Sequence, residues 1–139
     1  MADLTPNEGL NRLGQLIYNE HKSTLVLYLI TNTAGSLNAQ SVFADLTFPT
    51  PGAGGGSASF AFATGADWTI TDGVLTYPGT IIFENTGTAN WTGDVTGVAL
   101  CDVDSGRGSA ILHQHDFSFG ASTMTPSDKI RIDLLTDLA

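Results

Sequence analysis

Positive charge is nearly missing from this chain. Its 139 residues hold five lysines and arginines against fourteen aspartates and glutamates, a formal net charge of −9 at pH 7. Between Lys22 and Arg107 there is no basic residue at all. Nucleic-acid phosphates and anionic lipid headgroups are gripped by clustered Lys or Arg, so neither nucleic acid nor a membrane is expected as a partner. Charge of either sign is scarce, at 14% of residues, where about 25% is usual. A single cysteine, Cys101, excludes an internal disulfide. The longest apolar run, "TLVLYLI" at 24–30, is strand-sized and far short of the roughly 18 residues of a membrane-spanning helix. The opening "MADLTPNEGL" has neither the basic start nor the apolar stretch of a signal peptide, so synthesis without an encoded export signal is expected.

What is present is threonine, serine, asparagine and glycine, residues that favour pleated strands and tight turns over helices. One helix is nonetheless predicted. Thr5 is placed as an N-cap, Pro6 at the first helical position and Glu8 three residues after the cap, a capping-box pattern. Leu10, Leu13, Leu16 and Ile17 follow at helical spacing and give one apolar face. Gly9 and Gly14 weaken such a helix by about 1 kcal/mol each relative to alanine. It therefore needs a surface to lie on. The expected division is an N-terminal helix or arm over residues 1–22 and a β domain over 23–139.

From Ser23 onward the periodicity is that of strands. "STLVLYLITN" is almost continuously apolar and predicts a central strand buried on both faces. "SVFADLTFPT" alternates and stops at Pro49, which predicts an edge strand. "PTPGAGGGSAS" predicts a surface loop, or an arm ordered only on assembly. Short strands follow: "SFAFAT", "ADWTIT", "GVLTYP", "GTIIFEN", "DVTGVALCD", "SAILHQHDF" and "DKIRIDLLT", with Asp72-Gly73 as a hairpin turn. Without crossover helices, the fold class expected is mainly β: an antiparallel β-sandwich or jelly-roll-like barrel with one short N-terminal amphipathic helix.

Residues able to carry chemistry are few. Cys101 would be a nucleophile only if a histidine activated it, and His113 and His115 lie across a predicted hairpin from it. No oxyanion-hole motif accompanies the cysteine, so a small buried hydrophobe is expected instead. His113 and His115, two apart on a strand, share a face and could chelate a metal with Asp116 or His21. No third ligand is fixed by spacing, and a solvated or interface face is the expectation. "DVDSG" at 102–106 opens like a calcium loop but lacks the later ligands, and predicts a hairpin turn. Asn90-Trp91-Thr92 matches a glycosylation sequon, which has meaning only in a secretory setting. Trp68, Trp91 and Tyr77 could stack on a sugar, but each sits in a strand where large apolar residues belong, so core or interface packing is expected. No phosphate-cradling glycine motif, paired-carboxylate pattern or zinc-type cysteine cluster occurs. No enzyme, cofactor or metal site is expected.

The order of these segments is familiar. A helix with "NEG", a strand with "LVLYLITN", the turn "GAGGGSASF", the hairpin "DWTITDGVLTYPGTIIF", the strand "DVTGVALCD", "SGRGSAILHQHDF" and a last strand introduced by "TMTPSDKIRIDL" follow one another along nearly the whole chain. This pattern resembles small virion proteins of tailed bacteriophages, found among capsid decoration and other structural genes. It departs from them in its long glycine run and in "HQH", where ordinary alternation is expected. The resemblance implies a capsid decoration or cement protein, made in the host cytoplasm and placed on the virion head. Its partners would be the major capsid protein and copies of itself, as a homotrimer. The expected docking residues are Leu10, Leu13 and Ile17 of the helix, Gly54, Gly55 and Gly56 of the loop, and His113 and His115. A tail or baseplate protein touching host glycans through Trp68, Trp91 and Tyr77 is the alternative.

Overall fold

A computed structural model describes residues 24–62, 69–72, 74–104, 106 and 108–137. The predicted helix, and with it the boundary at residues 22 and 23, lies outside the described residues. The described chain is mainly β, in two antiparallel sheets.

The first sheet is built on two apolar segments that pair side by side. Strand β1 (Leu25–Ile30) runs antiparallel to β5 (Gly97–Asp104), from Leu25 opposite Asp102 to Ile30 opposite Gly97. β2 (Ser59–Ala61) adds to the free side of β1, and β6 (Gly108–Asp116) to the free side of β5, in the order β2-β1-β5-β6. The second sheet has the order β3-β4-β7, from β3 (Thr69–Thr71), β4 (Val74–Glu84) and β7 (Lys129–Asp137).

Alternation along β1 and β5 sends side chains to opposite faces, and both faces are buried. Leu25, Leu27 and Leu29 of β1 and Val98 and Leu100 of β5 join Ile81, Phe83 and Leu134 from the second sheet in one apolar cluster. Trp91, Val95 and Met124, from the connections, complete it. Ile30, Ala99 and Cys101 point the other way and are covered by Leu46, with Tyr28, Leu37 and Phe43 around them. Each leucine taken fully out of water contributes about 1.5–3 kcal/mol. The double burial expected of "STLVLYLITN" is therefore met.

The cover over that second cluster corrects an expectation. "SVFADLTFPT" is not an edge strand: Phe43–Asp45 form a single 3-10 turn, and the chain beyond it is irregular as far as Thr50, which bridges to Thr92. Side chains took the backbone's hydrogen bonds here. The Asp45 carboxylate accepts from the Val42 N–H at 2.8 Å, the Asn32 Nδ2 donates to the Asp45 carbonyl at 2.8 Å, and the Thr47 N–H donates to the Asn32 Oδ1 at 2.9 Å. Of the alternating set Val42, Ala44, Leu46 and Phe48 only Leu46 is buried, and the rings of Phe43 and Phe48 lie against Tyr28.

Two further boundaries differ. "GVLTYP" and "GTIIFEN" are one strand, β4, whose register against β7 slips between Thr76 and Thr80. Pro78 lacks an N–H and would leave a gap in a central ladder, and the bulge absorbs it. The hairpin turn expected at "DVDSG" comes later, because Asp102–Asp104 still belong to β5 and Asp104 pairs with Gly108. Asp102 is buried and accepts a hydrogen bond from the Thr24 hydroxyl. Val95 lies before β5 and packs in the first cluster, and the Thr96 hydroxyl beside it donates to the Ile30 and Asn32 carbonyls. The Asp72 turn is as expected, with Thr71 opposite Val74 and Asp72 at φ +51°.

Gly97 marks where β6 approaches β5 most closely. A Cβ there would stand 2.3 Å from the His115 carbonyl oxygen. Gly97→Ala is expected to destabilise the fold by about 1–3 kcal/mol, seen as a lower urea midpoint with an unchanged slope.

Candidate partner interface

The glycine-rich loop is tied down rather than loose. The buried indole of Trp91, 2% exposed, needs an acceptor for its N–H, and the Gly55 carbonyl supplies it at 2.9 Å. The Gly54 carbonyl accepts from the Thr86 hydroxyl at 2.7 Å, and the Gly55 N–H donates to the Gly52 carbonyl at 2.9 Å. Gly56 has φ +88°, and a Cβ there would meet the Glu84 carbonyl at 2.6 Å. The glycines are thus used to pass close to the 84–87 segment, and the segment is a surface loop as expected, with Gly52, Ala53 and Ser57 exposed. Gly54 and Gly56 remain exposed while Gly55 is buried. Leu10, Leu13 and Ile17 lie outside the described residues.

The burial of Trp91 also removes it as a sugar-stacking residue. Trp68 lies outside the described residues, and Tyr77 is half-buried with its ring against Phe60 and Phe62. Cys101 is fully buried, and burial pushes its thiol up to about 12. Its partner across the ladder is Ile111, whereas His113 stands opposite Leu100 and His115 opposite Val98. No thiolate forms at neutral pH in such a setting, so the arrangement cannot act as a nucleophile.

His113 and His115 sit on β6, the outermost strand of the first sheet, and both are exposed. Among the described residues no group of three His, Cys, Asp or Glu side chains could hold a metal ion. What surrounds the two histidines is hollow space. On one side a cleft of about 340 Å³ separates β6 from β7, lined by Leu27, Val98, Leu100, Phe117 and Leu134 together with His113 and His115. On the other side a second hollow of about 340 Å³ lies between β6 and the segment around Leu37, Asn38 and Ser41. Between the two, Leu112 is the extra residue of a bulge, since Leu100 pairs with His113 and Cys101 with Ile111. It is 43% exposed. Sequence reasoning found the histidines but missed Leu112 and the hollows. The available signal was the run from Gly108 to His115, which carries no lysine, arginine, carboxylate or proline.

The described residues thus define an all-antiparallel β protein with one long, bare outer strand. Comparison with protein-family models, curated proteins and solved structures gave no match.

Two outcomes test the site. Trp91→Phe, which removes the donor to Gly55, is expected to cost about 1–3 kcal/mol in urea unfolding. The Cys101 thiol rises from its ordinary 9.0 to about 12 on folding, so the fold favours its protonated form. That contribution is complete below about pH 9 and is lost as pH climbs towards about 12. Cys101→Ala is expected to flatten this part of the alkaline decline in stability, and iodoacetamide is expected to label wild-type Cys101 only after unfolding.

Proposed function

We propose that the chain is a bacteriophage structural protein, a decoration or cement protein that binds the head surface and stabilises contacts between capsomers. In this proposal the two sheets form an antiparallel sandwich, and residues 5–20 supply a helix that docks on a neighbour. The partners are the major capsid protein and further copies of the chain, and the protein resides on the capsid surface of the virion. Its role is structural rather than catalytic.

The observation that carries the proposal is where the molecule puts its reactive and its adhesive groups. The one thiol is sealed in the core, while Val42, Phe48, Ile82, Leu112 and Phe119 are exposed on the outside. Exposed large apolar side chains on a sheet scaffold suit lasting contact with another protein. The net charge of −9 keeps free copies apart in solution until a specific contact captures them. The resemblance in segment order to phage virion proteins supplies the identity of the larger assembly.

The test is to image virions with and without the protein by electron cryomicroscopy. The expected result is density on the capsid surface, between capsomers, that disappears from particles lacking the protein. Density on the tail or baseplate instead would overturn the head assignment.

A further inference from the structure

A strand at the edge of a sheet offers a row of main-chain donors and acceptors to any other strand, and proteins normally blunt such edges. Among the described residues, three of the four sheet edges are blunted. β2 and β3 have three residues each, too short to template a pairing. β7 carries Lys129, Arg131 and Asp133, all exposed. β6 is different. It has nine residues, and from Gly108 to His115 there is neither charge nor proline to deter a neighbour. Among the described residues, no backbone–backbone hydrogen bond reaches β6 from any segment except β5, and the Gly35 N–H donates only to the Asp116 side chain at its end.

We propose that this edge pairs with the same edge of a second copy, β6 antiparallel to β6 about a two-fold axis. The two four-stranded sheets then become one continuous sheet. The proposal does not depend on the capsid assignment, and it replaces three-fold self-association by a two-fold one.

Charge argues for a second copy as the occupant. Two chains each bearing −9 repel one another over most of their surfaces, and close approach is tolerated only where carboxylates are absent. β6 is such a place, with Asp116 only at its end. Geometry argues the same way. Side chains of an added strand alternate between the two faces of the sheet, and β6 has a hollow beside each face. A partner strand can therefore seat alternate side chains in both hollows while its main chain completes the ladder, the usual division of labour in strand addition. Leu112, pushed out by the bulge, gains cover from the partner. Identical strands paired antiparallel form an isologous contact, which closes with two copies. Strand-edge pairing alone is small beside a standard interface of roughly 1,600 Å², so the dimer is expected to form in the micromolar range and to dissociate on dilution.

The full chain is to be weighed by light scattering between about 1 µM and about 1 mM, with hydrogen exchange of the segment 108–116 followed at both ends of the range. The expected result is a monomer–dimer equilibrium in which exchange of that segment slows as the dimer forms. Leu112→Lys, an edge charge of the kind that blunts natural strands, is expected to weaken association by about tenfold or more. Thr71→Lys, at an exposed position of β3 in the second sheet, is expected to leave it unchanged. A monomer throughout, a trimer, or a dimer in which 108–116 exchanges as fast as in the monomer would overturn the proposal. Should circular dichroism show Leu112→Lys unfolded, the exchange comparison on the wild-type chain decides alone.

Discussion

Everything in this fold follows from the need to cover β1 and β5 twice. Their side chains are apolar on both faces, so a single sheet facing water on one side would leave half of them exposed. The second sheet covers one face through Ile81, Phe83 and Leu134. The other face is left to an irregular stretch that brings Leu37, Phe43 and Leu46 over Ile30, Ala99 and Cys101. Cys101 is consequently a core residue, and its chemistry is silenced by the same burial that makes it useful for packing.

Irregular covers bring their own obligation, because their backbone groups have no ladder to satisfy them. Side-chain amides and hydroxyls do that work here. Asn85, wholly buried, donates from Nδ2 to the carbonyls of Ala89 and Met124, and its Oδ1 accepts from the Gly87 N–H. Asn32 and Asp45 do the same around the 3-10 turn. Trp91 locks the glycine-rich loop into this network through Gly55. With that loop committed to the fold, β6 is the long outer strand that this network does not reach among the described residues.

Much of this was legible in the residues. The continuous apolar run of β1, the turn at Asp72 and the strands β5, β6 and β7 were expected close to where they lie. "SVFADLTFPT" was misjudged because its alternation does not survive folding: only Leu46 of the set Val42, Ala44, Leu46 and Phe48 is buried, and Asn32 and Asp45 side chains take backbone hydrogen bonds that a strand would have made. The split of β4 at Pro78 was misjudged because proline breaks a ladder only where no bulge is available to take it up. His113 and His115 were singled out as interface residues, and both are exposed on the outer strand. The ties of Gly55 could not be anticipated, since they depend on Trp91, 36 positions away in the chain.

The sequence by itself determined the β class, the doubly buried central strand and the shortage of positive charge. Those properties are local: side-chain period, turn chemistry and composition need no knowledge of distant partners. Tertiary structure alone decided that the glycine loop is tied to Trp91 and Thr86. It also decided that, among the described residues, β6 is an outer strand without the exposed charges that β7 carries. Each of these depends on which strands become neighbours, as when Val26 meets Ala61 on one side and Cys101 on the other. Such pairings are settled by the joint burial of segments far apart in the chain.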